Sequence, residues 1–305
     1  MNTEKKLENE DIYLSDLFRA VWRKKIFISL ITFIFGISAV FYSLSLENKY
    51  TSQAILVPTA GSNTMMSLAN QYSGLASLAG VSMPVSNEID ETALSIEIIE
   101  SYDFFVNLVS KYDLLAQLVA VKSWDQENNL LFFHEDEFKN GKWVSEKPFS
   151  IDGIPSFQLS HKTFLSSLNI ERDLKTNFIT ITFEHVSPYV AKEFLEKIII
   201  EVNEIKRKYD IDAADRSINF LKKEIQGTQL SEIKIGLNSL VQKQMETKML
   251  ANVTQEYAFR TASAPIAPEI KSGPSRSIIC IMMSFLGAIL SIFYVIVRFI
   301  YKKTV

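Results

Sequence analysis

Residues 26–46 read IFISLITFIFGISAVFYSLSL and residues 278–297 read IICIMMSFLGAILSIFYVIV, and neither stretch contains a charged side chain. A helix rises about 1.5 Å per residue, so each stretch can cross roughly 30 Å of hydrocarbon. The sequence therefore predicts two transmembrane helices, one near each end of the chain. Residues 47–277 between them are numerous enough to form a domain with its own core.

The first apolar stretch has one alternative interpretation, a cleaved signal peptide. Basic residues precede it, and Ser43-Leu44-Ser45 loosely resembles a small-residue cleavage site. However, the apolar region of a signal peptide usually runs about 7 to 15 residues, and this one is longer. It also follows residues 1–25, whose pattern is amphipathic. We therefore interpret it as an uncleaved anchor.

Basic residues flank the two predicted spans unevenly. The terminal sides carry Arg19, Arg23, Lys24, Lys25, Arg298, Lys302 and Lys303. The opposite sides carry the thinner set Lys49, Lys271 and Arg276. Because Lys and Arg beside a span resist export, the asymmetry predicts cytoplasmic termini and a periplasmic domain.

Charge and cysteine content exclude some classes of protein. The net charge is -3 at pH 7, and basic residues alternate with acidic ones, so no basic field suited to nucleic acid is expected. The single cysteine, Cys280, lies inside the second predicted span. The periplasmic domain is therefore expected to have no disulfide.

Two segments of the middle region have the alternation of β-strands. Tyr50–Pro58 is rich in β-formers, with Ile55 and Val57 on one side, and ends at a proline. Residues 178–183 alternate in the same way. The apolar side of that second strand consists of Ile179, Ile181 and Phe183.

Other segments predict a loop and several helices. Residues 59–87 are uncharged and rich in Ser, Gly, Ala and Met, as in a loop or loosely held hairpin. Residues 89–119 have apolar spacings of three, four and seven, which predict one or two amphipathic helices. After Pro188, residues 189–258 contain almost no helix breakers, so they predict a very long helical region.

The long helical region has two open interpretations. Heptad-like apolar runs occur before and after Gly227, and an interruption is expected there or at Gly236. An unbroken helix would expose a stripe too long for one domain to bury, so copies of the chain would have to cover it. Alternatively, the chain folds back at Gly227 as a helical hairpin.

The return to the second span is rich in proline. Pro265, Pro268 and Pro274 lie in residues 264–274, and proline both lacks an amide donor and fixes φ. The segment is therefore expected to be a semi-rigid, extended spacer.

Several blocks of sequence together resemble one known family. They are Pro155-Ser156-Phe157-Gln158 through Phe164; Asp173-Leu174-Lys175-Thr176-Asn177-Phe178-Ile179-Thr180-Ile181; Glu184-His185-Val186-Ser187-Pro188 with Ala191-Lys192; Asn203, Arg207, Asp210, Ala214, Arg216-Ser217-Ile218 and Leu221; Trp22-Arg23; Tyr50–Pro58; and the prolines at 265 to 274. In this order between two spans, the chain resembles the Wzz-type polysaccharide co-polymerases, the chain length determinant proteins of lipopolysaccharide O-antigen and related glycans.

The resemblance implies an α+β fold and a function. The expected periplasmic domain, residues 47–277, has a membrane-proximal α/β base at about 47–188 and 250–277 and a long helical region at about 189–258. Residues 298–305 are the expected cytoplasmic tail. Family members form ring-like homo-oligomers and, with a membrane polymerase, bias how long a lipid-linked glycan grows. Relatives in capsule export carry a cytoplasmic kinase domain after the second span, which this sequence is too short to include.

Catalytic patterns are absent from the sequence. Only three histidines occur, His134, His161 and His185, and the acidic run that starts at His134 lacks the spacing of a calcium loop. Neither a nucleophile elbow nor a zincin signature occurs. We therefore predict a protein that is not an enzyme and binds no cofactor or metal.

Two weaker patterns have a structural and a functional interpretation. Thr32 with Gly36, and Gly287 with Ser291, are small residues four apart that permit close approach of the spans. The aromatic residues Trp124, Phe132, Phe133 and Trp143 suit a sugar-stacking platform, although packing in the base is the simpler interpretation.

Two other functions share the two-span layout. A capsule-export component would work with a separate cytoplasmic kinase, and a sensor would need a separate output protein because the expected cytoplasmic segments are short. Chain length regulation remains the preferred hypothesis.

Overall fold

The computed structural model describes residues 14–59, 90–144 and 150–304. The chain forms two compact units, one comprising the terminal segments up to Asn48 and from Ser272, and the other comprising Lys49–Lys271. Helices and a sheet, an apolar helix near each end and a long central helix confirm the predicted α+β class.

Three helices form the described part of the terminal unit: α1 (Leu14–Arg23), α2 (Lys25–Ser45) and α9 (Arg276–Thr304). Helix α2 and residues Arg276–Tyr301 of α9 are long and apolar enough to cross a membrane, by length and composition. Helix α2 agrees with the first predicted span to within one residue at each end, whereas α9 extends beyond the second at both ends.

Helices α2 and α9 pack closely at two glycines. A Cβ atom on Gly287 would lie 2.7 Å from Phe35 Cβ, a distance that real Cβ atoms essentially never show. A Cβ atom on Gly36 would lie 3.2 Å from Ser284 Oγ. Ser291, one turn beyond Gly287, is buried. These contacts confirm the close approach predicted from small residues.

The α2–α9 pair is antiparallel with one register along its length. Toward the start of α2, the rings of Phe27 and Tyr294 lie 5.8 Å apart between centroids. At the opposite end, the Arg276 guanidinium donates hydrogen bonds to the Leu46 carbonyl (3.4 Å) and to Asn48 Oδ1 (3.1 Å). At each level of the pair, residue numbers therefore rise along α2 as they fall along α9.

A four-stranded antiparallel sheet organises the second unit. Its strands are β1 (Tyr50–Pro58), β6 (Leu168–Arg172), β7 (Ile179–His185) and β8 (Phe259–Ser263), in the order β6-β7-β1-β8. Both predicted strands are present, and Ile179, Ile181 and Phe183 are fully buried as expected.

The buried face of β1 is the one opposite Ile55 and Val57. Ala54 and Leu56 are fully buried, whereas Ile55 and Val57 on the other face are only half-buried. Ser52 pairs with Phe183 across the sheet, and the Phe183 ring stacks on Phe194 of the long helix at 4.5 Å. Small residues on this face of β1 therefore let that helix pack closely.

Four shorter helices accompany the sheet: α3 (Glu91–Glu100), α4 (Tyr102–Tyr112), α5 (Leu115–Val119) and α6 (Phe157–Ser167). Residues 89–119 were expected to form one or two helices, and their described part forms three. The first break lies at Ser101, whose hydroxyl accepts a hydrogen bond from the Phe104 amide and so caps α4. The second lies at Asp113, which has the left-handed conformation, φ 53°.

Two small hairpins were not predicted. Strand β2 (Val121–Asp125) pairs with β3 (Leu130–Phe133), and β4 (Phe138–Lys139) pairs with β5 (Lys142–Trp143). The β4–β5 turn is Asn140-Gly141, with φ of 51° and 76°. An Asn-Gly pair favours a two-residue turn, so this hairpin had a recognisable sequence signal.

The long helical region is a hairpin of two helices, α7 (Pro188–Gly227) and α8 (Ser231–Val253). Ser187 caps α7 by accepting a hydrogen bond from the Val190 amide, and the chain turns at residues 228–230. The helices are antiparallel, since Lys248 of α8 pairs with Asp215 of α7 at 2.6 Å. Of the two interpretations, the hairpin is therefore correct, and the interruption considered at Gly236 is absent because that residue lies within α8.

The predicted loop at residues 59–87 lies outside the described residues except for Thr59. That residue continues the sheet by donating its amide hydrogen bond to the Ala258 carbonyl at 3.1 Å.

Candidate functional site at the helical hairpin

The end of the hairpin next to the sheet, which we call its root, is fastened by the buried side-chain amide of Asn203. Asn203 of α7 is 4% exposed, and its Oδ1 accepts hydrogen bonds from the amides of Ala258 (2.7 Å) and Phe259 (3.0 Å). Its Nδ2 donates to the carbonyls of Ile199 (2.9 Å) and Phe259 (3.2 Å). The side chain thus ties α7 to the start of β8 and fixes where the returning chain rejoins the sheet.

A buried ion cluster lies one turn farther along α7. Lys206 is 5% exposed, and its Nζ lies 2.8 Å from Asp210 Oδ1 and 2.9 Å from Glu91 Oε2. Tyr257 donates its hydroxyl to Asp210 Oδ2 at 2.9 Å. The cluster therefore joins α3, α7 and the segment that follows α8.

The electrostatics of this cluster favour charged Lys206. Burial opposes the ammonium form, but the hydrogen bonds to Asp210 and Glu91 outweigh it and raise the pKa of Lys206 above its ordinary value. Burial, followed by the negative charge of Asp210, raises the pKa of Tyr257, which stays a neutral donor. The adjoining cavity has room for about one water molecule, too little for a sugar or a cofactor.

A second ion cluster holds α4 against α7. Glu201 is 2% exposed and accepts hydrogen bonds from Asn107 Nδ2 (2.6 Å) and Lys111 Nζ (2.7 Å). Lys111 also pairs with Glu204 at 2.6 Å. Hydrogen bonds to Glu201 and Glu204 raise the pKa of Lys111. These contacts make the α7 root a fixed base for the hairpin.

Helix α8 of the hairpin exposes apolar side chains. Met245, Met249 and Val253 follow one another at one-turn spacing on α8, and Val253 is 72% exposed. We call these three residues the α8 stripe. Other exposed apolar residues of the hairpin include Tyr209, Phe220, Leu230, Ile233, Ile235 and Leu250. An exposed apolar patch on a surface helix is typical of a protein–protein contact.

The prolines of the predicted spacer do not form one site. Pro265 is buried and Pro268 half-buried in a segment without helix or strand that follows β8. That segment is held to β1, because Ser52 Oγ donates to the Ile266 carbonyl at 2.7 Å. Pro274 belongs to the terminal unit and follows Gly273 through a cis peptide bond.

The predicted basic flank lies at one end of the terminal helices. Arg19 and Arg23 belong to α1, Lys24 joins α1 to α2, and Lys25 begins α2. These four side chains and Arg298 of α9 are exposed. Lys302 and Lys303 are in the last turn of α9.

The histidines have structural surroundings. His185 is buried; its Nδ1 accepts a hydrogen bond from the Ser187 amide (3.1 Å) and its Nε2 lies 2.9 Å from the Gln117 carbonyl. Burial lowers the pKa of His185 to about 4. His161 Nε2 contacts the Glu100 carbonyl at 2.9 Å. Within residues 14–59, 90–144 and 150–304, no three His, Cys, Asp or Glu side chains cluster as metal ligands would.

Of the aromatic residues considered as a sugar platform, Phe133 and Trp143 are joined through Phe138, Trp124 packs against other rings, and Phe132 is 52% exposed. Trp124 packs edge-on against Tyr50 at 5.5 Å, on β2. Trp143 packs edge-on against Phe138 at 5.0 Å, within the other small hairpin. The rings of Trp124, Phe133 and Trp143 are therefore engaged in local packing, which agrees with the simpler interpretation for these three residues.

The two ion clusters were missed by the sequence analysis. Only the Glu201 cluster had a local signal, the run Ile198-Ile199-Ile200-Glu201-Val202-Asn203, in which polar residues interrupt the most apolar part of α7. Charged residues are almost never fully buried unless paired, so such interruptions mark positions that need partners.

Comparison with known proteins gives one family match. The model of the Wzz chain length determinant protein family matches residues 10–111. This confirms the family resemblance for that part of the chain, which includes Trp22-Arg23 and Tyr50–Pro58. The blocks at residues 155–221 and the prolines lie outside the match. No curated protein matches the chain.

Three solved structures show distant likeness. A full-length bacterial polysaccharide co-polymerase is 14% identical, with a TM-score of 0.38, over 95% of this chain and 99% of that one. A fragment of WzzB, a polysaccharide co-polymerase from Salmonella Typhimurium, is 15% identical, with a TM-score of 0.29, over 74% of this chain and 100% of that one. A mutant of the Shigella flexneri lipopolysaccharide O-antigen chain-length regulator is 12% identical, with a TM-score of 0.19, over 73% of this chain and 100% of that one.

Proposed function

We propose that this chain, which carries the Wzz chain length determinant domain over residues 10–111, controls the length of a surface polysaccharide. The family match is the observation that carries this proposal. The protein acts as a regulator without catalysis of its own, in a membrane homo-oligomer that works with the glycan polymerase. Its polysaccharide is lipopolysaccharide O-antigen or a related glycan that grows on a lipid carrier.

The terminal helices support placement in the inner membrane. Helices α2 and α9 are both long and apolar enough to span it, and they pair closely through Gly36 and Gly287. With the basic residues on the cytoplasmic side, Lys49–Lys271 is the periplasmic unit. Protease protection of that unit in intact spheroplasts would contradict the topology.

The hairpin supports assembly with further copies. The 40 residues of α7 give a rise of about 60 Å, which is more than the four-stranded sheet can cover. The α8 stripe remains exposed, and it is a suitable contact for a neighbouring copy. Rigid fastening at Asn203 and Lys206 would let every copy present this stripe in the same way.

A variant pair tests assembly through the α8 stripe. In the full-length protein purified in detergent, Met245→Asp with Met249→Asp is expected to lower the number of copies in the oligomer, as measured by native mass spectrometry. The matched control, Asn219→Asp with Gln226→Asp, adds the same charge at exposed polar positions of α7. An unchanged copy number in the first variant would contradict this contact.

Two mechanisms of length control are compatible with the hairpin. In one, the oligomer organises polymerase molecules, and the residence time of the glycan carrier sets the length. In the other, the hairpin surface contacts the growing glycan as a gauge. Shortening α7 and α8 by matched turns at residues 220–240 tests the second mechanism, because an unchanged modal length with an intact base would contradict the gauge.

The proposal itself is tested by the gel ladder of surface polysaccharide. Cells that lack the gene are expected to show a smooth decay of chain lengths, and complementation is expected to restore a cluster of bands. A ladder that does not change would instead favour the export function.

A further inference from the structure

The antiparallel register of the terminal helices brings cations from two separate segments to one level. Phe27 is beside Tyr294, and Phe35 is beside Gly287, so equal steps in opposite directions stay matched. Helix α2 begins at Lys25, two residues before Phe27, and Arg298 lies four residues after Tyr294, so Lys25 and Arg298 lie within about one turn of the same level. Helix α1 also contacts α9 in the structure. The two predicted basic flanks are therefore one surface.

The cations on this surface are available to an external anion. Arg19, Arg23, Lys24, Lys25 and Arg298 are exposed, and we call these five residues the basic collar. Within the described parts of the chain, no carboxylate forms an ion pair with any of them. By contrast, the cations at the hairpin root, Lys111 and Lys206, each pair with two carboxylates.

The position of the collar identifies the anion. The collar begins where the uncharged part of α2 ends, so it lies at the level of lipid headgroups if α2 spans the membrane. Trp22 is 64% exposed at the same level, and the Lys25 ammonium lies 5.5 Å from its ring centroid. Exposed tryptophan beside cations is typical of the membrane interface.

We propose that the basic collar binds the phosphate headgroups of anionic phospholipids in the cytoplasmic leaflet. Four to eight Lys and Arg next to a span are enough to select anionic lipid, and the collar falls in this range. This inference rests on the proposed membrane topology but not on chain length control. Bound anionic lipid would fix the depth of the helix pair in the bilayer.

Lipid retention by the full-length protein tests the proposal. The protein is reconstituted in nanodiscs of phosphatidylcholine with phosphatidylglycerol, extracted into mild detergent, and its retained lipids are counted by mass spectrometry. We expect enrichment of phosphatidylglycerol over the bulk ratio. Each cation near an anionic surface contributes a roughly fivefold preference, so neutralising two should lower the enrichment more than tenfold.

Two variants separate specific charge from general effects. Arg23→Gln with Arg298→Gln removes one exposed arginine from each of the two flanks that form the collar, whereas Arg23→Lys with Arg298→Lys keeps their charge. The glutamine variant should lose enrichment and the lysine variant should keep it. A matched control, Lys222→Gln with Lys223→Gln, removes two exposed cations from α7 and should have no effect.

Salt dependence keeps the test valid if the glutamine variant fails to fold. Enrichment by the unmodified protein should fall as ionic strength rises from about 0.1 to 1 M, since the screening length falls from about 10 to 3 Å. Equal retention of both lipids by the unmodified protein, or enrichment that survives neutralisation, would overturn the proposal. Length control on the gel ladder is a separate measurement, so the two proposals can fail independently.

Discussion

The substitution Asn203→Ala should release the root of the helical hairpin. It removes the acceptor that two backbone amides share, those of half-buried Ala258 and buried Phe259. An unsatisfied buried donor costs about 1–3 kcal/mol, and the half-buried amide adds less, so the free energy of unfolding is expected to fall by roughly 1–4 kcal/mol. That is a large fraction of the stability of a typical domain.

Hydrogen exchange by mass spectrometry on the full-length protein locates this effect. In the variant, the amides of Ala258 and Phe259 should lose protection together with the start of β8. The matched control is Asn238→Ala, whose side chain donates only to the Lys234 carbonyl of its own helix, on an exposed surface. The control should change stability by less than about 0.5 kcal/mol. Equal protection in the Asn203 and Asn238 variants would refute the role assigned to Asn203.

Three further predictions concern charge, pH and helix packing. Lys206→Met should lower the free energy of unfolding, measured with urea, by about 3–5 kcal/mol, because it leaves two partly buried carboxylates unpaired. The control Lys208→Met, at an exposed position, should change it little, and equal urea midpoints for the two variants would contradict the prediction. The His185 pKa is about 4 in the fold and 6.5 unfolded, so the unfolded state binds more protons between these values. Stability should therefore fall by about 3 kcal/mol as pH drops from 6.5 to 4. His185→Gln should lack this component, and parallel pH profiles for both proteins would exclude it. Gly287→Ala should separate the terminal helices and lower the melting temperature in detergent. Gly236→Ala, where no atom lies within 4 Å of the added Cβ, should instead stabilise α8 by about 1 kcal/mol; destabilisation by both would contradict the packing argument.

The elements with a simple periodicity could be predicted from the sequence. The uncharged run at residues 26–46 predicts a long helix that is apolar on every side. The alternation of Ile179, Ile181 and Phe183 with polar residues predicts a strand that is buried on one face only. The basic residues of the flank could be listed from the sequence, although only the antiparallel register shows that Lys25 and Arg298 lie within about one turn of the same level.

Features that depend on contacts between distant segments could not be predicted. Nothing local in Glu91 or Lys206 indicates that they meet, since each is an ordinary charged residue on a helix. The choice between a continuous helix and a hairpin depended on residues 228–230. The helical segments before and after them both carry an apolar stripe, and that pattern fits a continuous helix and a hairpin equally well. In β1, Ala54 is fully buried and Ile55 only half-buried, because α7 packs closely on the face that carries Ala54, and this depends on contacts with a distant segment.

The measurement that tests the central claim most directly is the polysaccharide ladder of the deletion strain, complemented with the unmodified chain, with Met245→Asp/Met249→Asp, or with Asn219→Asp/Gln226→Asp. We predict that the unmodified chain and the second variant restore a clustered length distribution, whereas the first variant, expressed at the same level, gives a smooth decay. A ladder that is identical with and without the unmodified chain would contradict chain length control by this protein.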